Sequence, residues 1–215
     1  MSDLDPMFQR FIRRLDVLEG VFADWVANAP RCLTDADLMF LEGLVSSLWQ
    51  HWSLFCRRVV FSSALGCVTR SGNVIASCVT PLRWERVSYI AWRIGSSGGV
   101  QPALVNTNLK REPTWGDVRK VQDVITAMSL GNAAHLLSCL GSVSRGPIDV
   151  QLVRNAAAHR NFQTLSAVRA LNVYYSAKPI CHPVEVVTWT EPTSRDYAFM
   201  AWTAEMRLLG DLMTE

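Results

Sequence analysis

The strongest constraint on the fold is a pair of long amphipathic segments at the start of the chain. From Leu4 to Ala27, apolar side chains recur every three or four residues, and Asn28-Ala29-Pro30 ends the pattern. A second stripe follows Thr34, a residue suited to cap a helix, and continues to Val59, about six turns at 3.6 residues per turn. This spacing is typical of helices with one buried face. The sequence therefore predicts an all-α protein, a helical bundle with a long N-terminal helix pair.

Shorter helices are predicted along the rest of the chain. Their expected ranges are Pro81–Ile94, Trp115–Leu130 with Thr114 as its cap, a short helix capped by Asn132 and ending at Leu140, Ile148–Asn161, Phe162–Ser176 and Ser194–Met213. Residues 62–80 lack periodicity and predict a loop. Residues 178–191 are ambiguous, because two prolines break helices while VEVVTWT alternates like a strand.

No sequence feature divides the chain into domains. The segment GSSGG, Gly95–Gly99, is typical of a flexible connection and lacks the Lys-Ser/Thr ending of a phosphate loop. We find no internal repeat. A chain of 215 residues is long enough to bury one core, so residues 1–215 are predicted to form a single helical domain.

The composition places the chain among globular proteins. Hydrophobic residues make up 49% and charged residues 19%, unlike a disordered chain. A formal net charge of +2 is too small to attract nucleic acid through the bulk field, so such binding requires a local patch. The six cysteines form no C-x-x-C pair, the first residues contain no apolar signal segment, and no run approaches the ~18 apolar residues of a membrane span. We therefore expect a cytoplasmic protein with no membrane partner.

One late helix carries a candidate site. In QLVRNAAAHRNFQTL, Gln151–Leu165, an arginine and a histidine enclose the four residues NAAA. Asn155 and His159 share one helix face, whereas Arg154 and His159 diverge by roughly 140° and lie about 7.5 Å apart along the axis. Arg154 and His159 cannot face a small ligand from one narrow stripe, but they could line a groove beside a second helix. The three alanines between them would allow that helix to come close.

The signature RNAAAH, followed by Arg160 and Asn161, resembles the motif of the HEPN superfamily (higher eukaryotes and prokaryotes nucleotide-binding). That motif is an arginine, a polar residue, three variable positions and a histidine. The preceding stretch Glu112–Gly141 is similar to the helix pair that leads into the motif in stand-alone prokaryotic branches. The likeness implies a HEPN-type bundle with a late motif-bearing helix, a two-fold homodimer that joins two motif helices, and metal-independent endoribonuclease activity in toxins or anti-phage effectors.

The residues themselves suit this activity. Cleaving RNA without a metal requires a group that moves protons near neutral pH, which makes His159 the candidate acid and base. Arg154 would stabilise the charge of the phosphorane, and Asn155 would position the imidazole or a phosphate oxygen. Arg160 and Asn161 would support RNA binding. We expect no metal and no cofactor, and the expected partners are an RNA substrate, a second copy of the chain, and an antitoxin or defence-system protein.

Other interpretations remain open from the sequence. The RNAAAH helix also fits an ordinary alanine-rich core helix, and HEPN-like modules include members that bind a protein, a nucleotide or RNA without chemistry. A series of tryptophans fits core packing as well as base stacking: Trp84, Trp92 and Trp115. The remaining histidines have no companions at metal-ligand spacing: His51, His135 and His182.

Overall fold

A computed structural model describes residues 1–30, 32–96, 99–101, 104–105, 109–142 and 145–215. These residues are mostly helical, which confirms the all-α prediction. The α-helices are α1 (Asp5–Asn28), α2 (Asp35–Leu65), α3 (Trp84–Gly95), α4 (Val118–Met128), α5 (Ala133–Ser142), α6 (Arg145–Ala158), α7 (Phe162–Arg169) and α8 (Ala198–Thr214). Short 3₁₀ helices are found at Leu109–Arg111, Ala170–Val173 and Pro183–Thr188, and two-residue strands form β1 (Ser2–Asp3), β2 (Cys67–Val68) and β3 (Val74–Ile75).

The long N-terminal helices form where the sequence predicts them. Leu4, just before α1, and the apolar stripe of α1 are buried; the stripe comprises Phe8, Phe11, Leu15, Leu18 and Phe22. At the start of α2, the Thr34 hydroxyl accepts the N–H of Asp37 (3.3 Å), and the Asp37 carboxylate accepts the N–H of Thr34 (2.9 Å). This reciprocal cap satisfies two backbone N–H donors at the helix start and contributes about 1 kcal/mol to helix stability.

The chain divides into two compact units. The first contains Met1–Phe11, Ser53–Ser144 and Leu208–Glu215, and the second contains Ile12–Trp52 and Arg145–Arg207. Helices α1, α2 and α8 each supply residues to both units. Helical periodicity carries no sign of such a division, because an amphipathic stripe continues unbroken along one helix. The expected single domain stays a prediction.

In the first unit, a small sheet and one arginine hold the N-terminal residues in place. β1 pairs in parallel with β2, and β2 pairs antiparallel with β3. Arg70, which follows β2, lies 3.4 Å from a carboxylate oxygen of Asp5, forms an ion pair with Asp211, and stacks over the ring of Phe8 at 4.1 Å. The sequence pattern predicted a loop here, since strands of two residues are too short for alternation to be recognised.

A buried carboxylate, Glu112, links several parts of the first unit. One oxygen accepts hydrogen bonds from Arg57 Nε and Trp115 Nε1, both at 2.7 Å. The other accepts from Arg57 Nη2 (2.8 Å) and Ser88 Oγ (2.5 Å). Burial acts to raise the pKa of Glu112, but these hydrogen bonds outweigh burial and hold the pKa below its usual value. Glu112 thus joins α2, α3 and the segment before α4.

In the second unit, α6 packs against α7 and the 3₁₀ helix Pro183–Thr188. Phe22 lies 4.7 Å from Phe199, ring centre to ring centre, within an aromatic core. α6 also approaches α8 closely at Gly146, where a Cβ atom would lie 3.0 Å from the carbonyl oxygen of Trp202. A side chain at this position would require Trp202 or α6 to shift, so Gly146 allows the close approach of the N-terminal end of α6 to α8.

Several predicted helix boundaries were wrong. α4 begins after Asp117, whose carboxylate accepts the N–H groups of Arg119 (3.1 Å) and Lys120 (3.3 Å), so Thr114 is not its cap. The motif helix ends at Ala158 rather than near Asn161. The region predicted as one helix over 162–176 is α7 followed by a 3₁₀ turn, Ala170–Val173, as the chain tightens.

The ambiguous stretch 178–191 forms a 3₁₀ helix instead of a strand. Pro183 occupies its first position, where a missing N–H has no cost, and His182 caps it. The alternation of VEVVTWT therefore reflects burial of Val184, Val186 and Val187 within a tight turn. Of the predicted connection Gly95–Gly99, the central residues lie outside the described ranges.

Candidate functional site at the end of helix α6

The motif residues lie where α6 ends and α7 begins. The N–H of His159 donates to the carbonyl oxygen of Asn155 (2.9 Å), so the last helical hydrogen bond reaches the residue after Ala158. Asn161 then caps α7: its side chain accepts the N–H of Thr164 (3.0 Å), and Thr164 Oγ1 accepts the N–H of Asn161 (3.2 Å). The junction between the helices is therefore fixed by local hydrogen bonds, and Asn161 has a structural role.

Arg154 lines a cleft. Its side chain is half-buried, and Nη1 donates to Oδ1 of Asn155 at 3.2 Å. The cleft has a volume of about 330 Å³ and lies between α2 and α6, lined by Met39, Glu42, Gly43, Val45, Ser46, Arg154, Ala157 and Ala158. Ala157 and Ala158 thus form a low wall opposite α2. Asn155, expected to hold the imidazole or a phosphate, instead contacts and orients the guanidinium.

His159 is exposed to solvent and does not line this cleft. Its carbonyl oxygen accepts a hydrogen bond from Thr164 Oγ1 at 2.6 Å. Within the described ranges, no side chain forms a hydrogen bond or ion pair with its imidazole. The placement agrees with the predicted divergence of Arg154 and His159 around the helix, since one faces the cleft and the other faces solvent.

Arg160 belongs to a cluster that the sequence did not reveal. Its Nη2 lies 3.1 Å from Oε1 of Glu42 and contacts Nε2 of His182. The same Glu42 oxygen lies 3.0 Å from Nε2 of His182. The cluster joins α2, the motif loop and the start of the 3₁₀ helix Pro183–Thr188, so it holds the residue next to His159 against two other elements.

The imidazole of His182 is buried, with 6% of the side chain exposed. Its Nδ1 accepts the N–H of Val184 at 3.3 Å, and its Nε2 faces both the Glu42 carboxylate and the Arg160 guanidinium. Burial and the Arg160 guanidinium lower the pKa of His182, and Glu42 opposes them.

Short sequence spacing does not reveal Glu42 and His182 as a cluster with Arg160, because these residues lie on distant parts of the chain that only the fold brings together. One local signal existed: His182 precedes Pro183 and stands three residues before Glu185, and Glu185 accepts the N–H of His182 at 2.9 Å. That pattern is typical of a helix start and indicates a fixed imidazole.

A buried polar chain anchors the first half of α6. Asp149 accepts the hydroxyl of Tyr175 (2.6 Å) and Nε of Arg145 (3.2 Å), and Trp202 Nε1 donates to the hydroxyl of Tyr175 (2.8 Å). Burial raises the pKa of Asp149, although its donors act against this. The helix that carries the motif is therefore tied to α8 and to the end of the following 3₁₀ turn.

The three candidate tryptophans differ in burial, and His135 contacts the backbone of α8. Trp115 is buried, whereas Trp84 is 44% exposed and Trp92 is half-buried. The imidazole of His135 lies 2.8 Å from the carbonyl oxygen of Leu212, near the end of α8. Among the described residues, no group of three or more histidine, cysteine or acidic side chains has an arrangement that would hold a metal ion.

No helix in the described part of the chain combines the length and the apolar character needed to cross a bilayer. Comparison of the chain with protein-family models, with curated proteins and with solved structures finds no match.

Proposed function

We propose that this chain is a metal-independent endoribonuclease of the HEPN type, which acts as a homodimer and serves as a toxin or defence effector. The observation that carries the proposal is the exposed imidazole of His159, which has no partner among the described side chains and follows directly a helix whose Arg154 opens onto a cleft. Acid–base catalysis requires an imidazole that substrate can reach. Asn155 supports the proposal, because it holds the arginine in a defined orientation.

In the proposed reaction, the 2′-hydroxyl of the RNA attacks the adjacent phosphorus. The 2′-O–P bond forms as the bond to the 5′-oxygen breaks, leaving a 2′,3′-cyclic phosphate and a 5′-hydroxyl. His159 takes the proton of the 2′-hydroxyl while water supplies one to the 5′-oxygen, or water takes the first proton while His159 supplies the second. Arg154 donates hydrogen bonds to the phosphoryl oxygens as their negative charge grows.

A second copy of the chain completes the proposed site. Since His159 and Arg154 do not line one cleft in a single chain, the phosphate would be held between groups of two motif helices. An apolar side chain beside the motif supports an interface there, because Phe162, which follows Asn161, is 83% exposed.

The test is cleavage of a mixed RNA substrate in excess EDTA. His159→Ala and Arg154→Ala should each reduce the rate at least about 100-fold, the scale of lost acid–base or oxyanion stabilisation. His51→Ala and Arg169→Ala are matched controls away from the motif and should cleave like the wild type. Circular dichroism and sedimentation must show folded dimers for all variants. Undiminished cleavage by the folded motif variants would exclude the proposed mechanism.

A non-catalytic HEPN-like module that binds RNA, a nucleotide or a protein is the second candidate. It is favoured by the intramolecular roles of two predicted RNA-binding residues, because Arg160 is paired with Glu42 and Asn161 caps α7. Retained RNA binding by the wild type with no cleavage product would select this candidate. Expression in a bacterial host separates them further: growth arrest that requires His159 supports the toxin, and an antitoxin partner would relieve it.

A further inference from the structure

The first unit contains a larger cavity than the motif cleft, with a volume of about 630 Å³, between the end of α3, the 3₁₀ helix Leu109–Arg111 and α4. Trp92, Arg111, Thr114, Lys120 and Asp123 are among its lining residues. We propose that this cavity binds one base-plus-phosphate unit of a single-stranded RNA. The inference rests on the proposed function and deepens it, because it assigns the substrate a second holding point.

Trp92 provides the surface for a base. Its ring is half-buried and is held edge-on by Tyr89 at 5.9 Å. The guanidinium groups of Arg111 and Arg93 lie 5.2 and 5.7 Å from the ring centre. Both lie within the ~6 Å of a cation–π contact, though farther than the 4.0 Å at which Arg57 stacks on Phe61. A base that stacks on the indole would displace one of these guanidinium groups, and aromatic stacking of this kind tolerates any base.

The charges around the ring favour a phosphate. Arg111 and Lys120 are exposed, and neither forms an ion pair with any residue that the structure describes. Asp123 adds one negative charge, while the carboxylate of Glu112 is already paired with Arg57. Lys110, beside Arg111, brings two of the three lysines of the chain to this region. The local balance is positive although the chain as a whole is almost neutral.

Size and rigidity agree with a nucleotide unit. Sites for small ligands have volumes of about 300–1,000 Å³. The wall at Pro113 and Thr114 follows Glu112, whose four hydrogen bonds fix its backbone. A purely apolar ligand would form no charged contact with Arg111 and Lys120. A nucleotide would stack its base on the Trp92 ring and pair its phosphate with these cations.

The test measures RNA binding apart from cleavage. Each variant is made in the His159→Ala background, and a fluorescently labelled single-stranded RNA of twelve nucleotides is titrated by anisotropy. Trp92→Leu should raise Kd about tenfold, the scale of losing one stacked base. The double variant Arg111→Ser with Lys120→Ser should raise it similarly and reduce the slope of log Kd against log salt by about 1.4. Trp84→Leu, an exposed tryptophan on the same helix, should change Kd less than twofold.

The outcomes separate the two proposals. A lower RNA affinity in the double variant supports the cavity as an RNA-binding site. This holds even if the protein with His159 intact cleaves no RNA. That second result would refute the proposed nuclease activity without refuting the cavity proposal. Cleavage with unchanged affinity in a folded double variant overturns the cavity proposal and leaves the nuclease standing. Binding of free AMP that depends on Trp92, with no effect of Trp92→Leu on RNA affinity, also overturns it.

Discussion

Replacing Glu112 by glutamine should destabilise the first unit strongly while changing no volume. The side chain is 5% exposed, and each carboxylate oxygen accepts two hydrogen bonds. A glutamine amide keeps one acceptor oxygen, so two donors would face an NH₂ group. Hydrogen bonds to charged groups contribute about 1.5–3 kcal/mol each. Because Arg57 is 25% exposed and can turn to water, we expect the lower value for each, a loss of about 3 kcal/mol in the free energy of unfolding.

Urea unfolding followed by tryptophan fluorescence measures this loss. With a slope of about 2 kcal/mol per molar urea, the midpoint should fall by about 1.5 M. Glu85→Gln is the matched control, since this half-buried glutamate on α3 has no hydrogen-bond or ion-pair partner among the residues described. It should change stability by less than about 0.5 kcal/mol. A midpoint for Glu112→Gln equal to that of the control would refute the role assigned to the carboxylate.

The stability difference between the wild type and Glu112→Gln should also depend on pH. The pKa of Glu112 is lowered in the folded chain from its usual 4.5, so its contribution to stability is present above that value and is lost as the pH falls through the folded pKa. The stability difference between wild type and Glu112→Gln should therefore narrow as the pH falls below 4.5. A difference that stays constant or widens toward acid would contradict this sign.

Three further predictions concern the motif cluster and helix packing. Glu42→Gln removes the carboxylate that raises the pKa of His182, so an NMR titration of that imidazole should give a lower pKa than in the wild type, and an equal or higher pKa would be inconsistent with the cluster. Gly20→Ala adds a methyl group to α1 that meets no other described part of the chain within 4 Å, and should stabilise by up to about 1 kcal/mol. Gly210→Ala places a methyl group 3.1 Å from the Phe11 ring and should destabilise by about 1–3 kcal/mol. Thermal unfolding measures both, and a stabilised Gly210→Ala would rule out the close contact.

Local physics explains which parts of the fold the sequence predicted. The stripes of α1 and α2, and the cap at Thr34, depend on residues three or four apart, so they can be recognised without knowing the rest of the molecule. The motif helix was also predicted, and its early end at Ala158 follows from Asn161, whose side chain caps the next helix. Boundaries were missed where a nearer cap, Asp117, replaced the predicted one.

For the candidate site too, the sequence determined some features and the tertiary structure determined others. The sequence by itself determined that Arg154 and His159 lie near the end of one helix and point in different directions, because helix geometry sets the angle between them. Only the tertiary structure decided that Arg160 pairs with Glu42 and His182. Periodicity shows which face of a helix is buried but not which element covers it, so the partners of polar side chains are chosen when distant segments pack together.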